Sequence, residues 1–136
     1  MKKFCFFRAI AIVAVLMATA VAANAQTSIS CTERSTCLLD DDGDVIDCIT
    51  KEEPSLFVIN DAETMITHTI ESTKTTYYIT ESVYNEEDGT VLYTVKSDLG
   101  NDYIFHIDAR ERMIYVFYTD DDDDLWVVRF KMKAVF

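Results

Sequence analysis

Residues 125–136 read LWVVRFKMKAVF, and apolar side chains recur at every second position. Trp126, Val128, Phe130, Met132, Ala134 and Phe136 fall on one face, and Arg129, Lys131 and Lys133 on the other. Successive side chains of a strand point to opposite faces, so the pattern predicts a strand with one apolar and one wet side. The same period runs upstream. Met113, Tyr115 and Phe117 share a face, although Ile114, Val116 and Tyr118 make that segment apolar on both. Tyr103, Phe105 and Ile107 alternate with His106 and Asp108, while Val91, Tyr93 and Val95 alternate with Thr94 and Lys96. Residues 75–84 make a fifth strand, and the loops between these five are short, which forces antiparallel neighbours and a meander.

Further upstream lie strand candidates at residues 55–60 and 64–70 and a hairpin across Asp42-Gly43, for eight or nine strands in all. Pro54, after Lys51, Glu52 and Glu53, reads as a loop. Beyond residue 25, Val, Ile, Thr, Phe, Tyr and Trp total 46 residues and Ala, Leu and Met only 12. Branched and aromatic side chains suit a pleated, half-buried surface. Asp42-Gly43, Asp88-Gly89 and Gly100-Asn101 supply the positive φ that tight hairpins demand. The expected fold is all-β, a small antiparallel up-and-down meander closing into a barrel, since closure removes sticky sheet edges. A two-layer sandwich is the alternative.

The amino terminus reads differently. Lys2, Lys3 and Arg8 make a positive start, residues 9–23 are apolar except for Thr19, and Ala23-Asn24-Ala25 is a small-x-small exit. Together these are the parts of a secretory signal peptide over residues 1–25, leaving a single all-β domain over residues 26–136 in the periplasm or outside the cell. All 24 acidic residues lie after Ala25, but only nine of the 12 Lys and Arg do, so that portion carries −15 against −12 for the whole chain. Such a charge argues against nucleic acid and against an anionic membrane surface, both of which need clustered Lys and Arg. A basic protein or peptide is the partner it suits.

Export permits disulfides. With Asp42 and Gly43 as the turn centre, paired positions sum to 85 and Cys37 faces Cys48, leaving Cys31 as the odd thiol. Asp40, Asp42 and Asp44 imitate the opening of an EF-hand loop, but that frame needs Gly at Val45 and Glu at Lys51, and both fail. With Asp121 and Asp123 they are candidates for calcium only if the fold joins the two loops. The bland reading of both runs is a solvated loop. No nucleophile, zinc or phosphate-loop motif is present, so neither catalysis nor a cofactor is expected. His68 shares a face with Ile66 and Ile70 and reads as a packing residue, whereas His106 and Asp108 read as a polar pair.

In architecture alone, the expected barrel resembles lipocalin-like barrels, which implies a small apolar-ligand carrier. The last dozen residues, ending on Phe136, resemble the closing strand of bacterial outer-membrane barrels, which implies a small membrane barrel. About ten residues for each of eight membrane strands would leave few for turns. The expected function is therefore non-enzymatic binding of a macromolecule, with Asp121, Asp122, Asp123 and Asp124 as the partner-binding residues.

Overall fold

The computed structural model describes residues 26–136, so the export segment expected over residues 1–25 lies outside the described residues. Among those described, eight strands form a closed up-and-down barrel. They are β1 Thr27–Leu39, β2 Val45–Ile59, β3 Met65–Ile70, β4 Thr73–Asn85, β5 Thr90–Ser97, β6 Asp102–Asp108, β7 Met113–Thr119 and β8 Leu125–Val135. Each strand pairs antiparallel with its chain neighbours, and β8 closes the wall against β1, with Leu38 opposite Trp126 and Thr36 opposite Val128. The barrel is thus the observed arrangement and the sandwich is not.

One stretch departs from expectation. Pro54 is not in a loop but inside β2, which runs unbroken from the acidic hairpin to Ile59. It sits where the β1–β2 register shifts, between Cys31 opposite Ser55 and Glu33 opposite Glu52. A proline has no ladder donor to lose at such an irregularity, and β3 does not reach that position. The single long strand is why the count is eight rather than nine.

Alternation fills the interior. Phe57, Phe105 and Phe130 meet edge-on at its centre, with ring centroids 6.0 Å (Phe57–Phe105) and 4.9 Å (Phe57–Phe130) apart. Around them pack Ile29, Ile66, Tyr93, Val95, Ile114 and Met132, all buried. Truncating a buried phenylalanine of this kind typically costs about 3–5 kcal/mol. The opposite face holds a second, smaller cluster of Cys37, Leu39 and Val127, flanked by Tyr115 and Phe117. Cys48, Cys37, Val127 and Phe117 form one cross-strand row over four neighbouring strands. This explains why residues 113–118 are apolar on both sides.

Each of the seven hairpin connections among the described residues contains one residue with positive φ. Three are Gly43, Gly89 and Gly100, and four are Glu63, Glu71, Arg112 and Asp123. In four of the loops the geometry repeats: the left-handed residue itself, three residues on, donates its N–H to the carbonyl of Asp40, Asn60, Ser97 or Asp120. A turn closed by a left-handed residue matches the twist of the strands it joins.

Candidate functional site

Up-and-down topology sends alternate loops to the same end. The loops at residues 40–44, 71–72, 98–101 and 120–124 share one rim, which we call the upper end, while the start of β1 and the end of β8 lie at the lower. None of these four loops contains a lysine or arginine, whereas the lower-end loops include Arg110 and Arg112. Because β8 lies between β7 and β1, the loops at 40–44 and 120–124 are neighbours on the rim. The fold therefore brings the two longest acidic runs side by side.

Those two loops are built alike. Asp40 Oδ1 accepts from the backbone N–H of Asp42 and Asp44 at 2.9 and 2.8 Å, and Asp120 Oδ1 accepts from Asp122 and Asp124 at 2.9 Å each. The first aspartate thus organises the backbone, as Asx side chains do in turns. Asp120 does more: its Oδ2 accepts from Trp126 Nε1 at 2.8 Å. That bond, with the backbone donors, holds its carboxyl below the usual range. The remaining members Asp121, Asp122, Asp123 and Asp124 are exposed.

Carboxylate oxygens of Asp40, Asp42 and Asp44 lie within 4.8 Å of one another, as do those of Asp120, Asp122 and Asp124. The second group differs from the candidates read in the sequence, since Asp121 and Asp123 stand outside it and Asp123 is the left-handed residue. Each group stays within its own loop, so the geometry is that of two separate acidic turns. Between the 98–101 and 120–124 loops a recess of about 430 Å³ is lined by Asn101, Asp102, Tyr103, Tyr118, Asp120 and Asp121. Tyr103 and Tyr118 lie with ring centroids 5.7 Å apart in its wall. Burial and nearby negative charge push the Tyr118 hydroxyl up, so it stays a neutral donor.

The Cys37–Cys48 disulfide is present, with Cα atoms 4.1 Å apart. Cys31 is free and buried in the core, and burial pushes its thiol up to about 12. A thiol held neutral is a poor nucleophile, and one so enclosed does not reach another molecule. His68 is buried as a packing residue, stacked on Phe57 at 4.0 Å with rings 3° from parallel. Burial and the nearby Arg34 lower its pKa to about 4. His106 lies beside Tyr115, and Asp108 accepts the backbone N–H of Arg110 and Glu111, so each has a partner other than the expected one.

Two polar groupings were not legible in the sequence. Inside the upper half, Arg34 Nε lies 3.2 Å from Glu53, which also pairs with Lys51 at 3.0 Å. At the lower end, the hydroxyls of Tyr84 and Tyr93 both donate to Glu63 Oε1, the latter at 2.8 Å. Glu63 reaches them because it occupies a left-handed position that turns its side chain back over the barrel. The only available signal was a glutamate at the fourth place of a five-residue loop. No known protein family, curated protein or solved structure matches this chain.

Proposed function

We propose that this chain is an exported, non-enzymatic binding domain whose acidic rim captures a cationic protein or peptide. The observation that carries the reading is the gathering of lysine-free and arginine-free loops at one end of a barrel whose other end carries arginines. Like charges so bunched raise the local potential, and they steer a partner of opposite sign more than charge spread evenly does. The recess supports the same reading. Its tyrosine wall and aspartate border suit a lysine or arginine side chain, which carboxylates pair with and aromatic faces attract. The disulfide is consistent with an oxidising compartment outside the cytoplasm.

Two further readings have less support. The interior is filled by the chain's own aromatic and branched side chains, so an apolar carrier would have to displace them. The wall turns apolar residues inward while Lys131 and Lys133 are exposed outward, the reverse of a lipid-facing barrel. Replacing Asp121, Asp122, Asp123 and Asp124 by Asn together tests the proposal. Capture of a lysine-rich peptide should weaken and lose part of its salt dependence, and unchanged capture would contradict it.

A further inference from the structure

The barrel wall has a gap in its pairing. β2 is matched to β1 along its length, but β3 pairs only with Leu56, Phe57, Val58 and Ile59. β3 turns back after Ile70, so residues 45–55 have no ladder partner on that side among the described residues. Three apolar side chains stand in water on this segment: Val45 is 51% exposed, Ile46 60% and Ile49 74%. Edges of this kind offer unpaired N–H and C=O groups to another strand. Ile46 is the extra residue where the register shifts, and Pro54 marks the next irregularity. Between them residues 47–52 run as regular strand. The disulfide ties this arm to β1, so presenting the edge costs little further ordering.

We propose that the free edge of β2 is a self-association surface, on which a second copy lays its own β2 antiparallel about a two-fold axis at Ile49. Asp47 and Lys51 lie two residues either side of Ile49. In this register each Asp47 opposes Lys51 of the other copy twice over, and Ile49 meets Ile49. Moving the axis to Thr50 sets Asp47 against Glu53, and moving it to Cys48 sets Asp47 against Ile49. Opposite charges across strands stabilise and like charges destabilise, so the charge pattern selects the axis at Ile49. Lys51 already lies near Glu53, but its side chain remains 55% exposed and free to be shared. A two-fold contact uses the same surface on both copies and closes, giving a dimer and not a fibre.

Sedimentation equilibrium of the oxidised, exported protein tests this over a range of concentrations. The wild type should form dimers. Asp47→Lys turns both charge pairs repulsive and should weaken the dimer by about tenfold or more. Adding Lys51→Asp to Asp47→Lys should restore it to within a few-fold. Ile49→Lys, at a position too exposed to matter for folding, should also give monomer and decides the matter if the double variant misfolds. A wild type that stays monomeric, including one that pairs only with a foreign strand, overturns the proposal. So does a dimer indifferent to Asp47→Lys, or one that a folded double variant fails to recover.

Discussion

Trp126, the second residue of the strand that closes the barrel, donates its indole N–H to Asp120, and the bond spans the base of the 120–124 loop at 2.8 Å. The same carboxylate gathers two backbone N–H groups of that loop. Asp120 therefore shapes the acidic loop, and the four aspartates after it are what the loop displays.

That division of labour predicts unequal effects along one run of identical residues. Asp120→Ala should red-shift Trp126 fluorescence and lower the melting temperature, while Asp121→Ala should do neither. Trp126 is the only tryptophan in the chain, so the signal is unambiguous. The carboxyl of Asp120 is held below its ordinary value in the folded state. Its contribution is thus present above the unfolded carboxylate range and lost as pH falls through the lower folded value. Emission of the wild type should accordingly change only below the ordinary aspartate range, and a change centred above that range would contradict the assignment.

The disulfide closes a loop of sequence separation 11. In the chain-entropy treatment such a loop contributes about 3 kcal/mol. Replacing Cys37 and Cys48 by Ser together should lower the denaturant midpoint accordingly without changing the slope much. Cys31→Ser should leave non-reduced peptide maps unchanged in their 37–48 linkage.

His68 gives a pH dependence of opposite origin. Its folded pKa of about 4 lies below the ordinary histidine value of 6.5, because burial disfavours the imidazolium. The unfolded chain binds the proton more readily, so stability is full above pH 6.5, falls as pH drops toward 4, and levels off below that for this group. The loss amounts to as much as about 3 kcal/mol. His68→Phe keeps the stack on Phe57 and should flatten the curve across this window. The difference between variant and wild type removes the carboxylates common to both.

The two acidic loops offer a paired test of backbone strain. Gly43 and Asp123 occupy equivalent left-handed positions, and a Cβ on Gly43 would meet nothing within 4 Å. Gly43→Asp should therefore cost about 1 kcal/mol from backbone conformation alone, and Asp123→Gly should gain a similar or smaller amount. Equal and negligible effects in both loops would show that the left-handed residue is not strained.

Local period and turn chemistry made much of the fold legible in advance, because inward residues such as Tyr93, Phe105 and Phe130 alternate without interruption. The Cys37–Cys48 pairing was legible too, though by a different route than expected. The turn centres on Asp42, which sets Leu39 opposite Val45, and the extra residue Ile46 restores the register that joins the cysteines. What escaped depends on contacts distant in sequence. Val127 looks like a wet-face residue until Cys37 and Phe117 flank it. Pro54 looks like a loop residue because its tolerance comes from β3 ending early. The acidic runs were visible as composition, but only the eight-strand topology makes loops 80 residues apart into neighbours on a rim.

The measurement that bears most directly on the function is titration calorimetry of a lysine-rich peptide against two variants of equal charge change. One replaces Asp121, Asp122, Asp123 and Asp124 by Asn at the upper end. The other replaces Glu86, Glu87, Asp88 and Glu111 by their amides at the lower end. Capture by an acidic rim predicts that the upper-end variant loses affinity, on the order of tenfold or more at low salt, while the lower-end variant stays close to wild type. Equal losses in both variants would mean that net charge alone attracts the peptide, and would contradict the rim as the binding site.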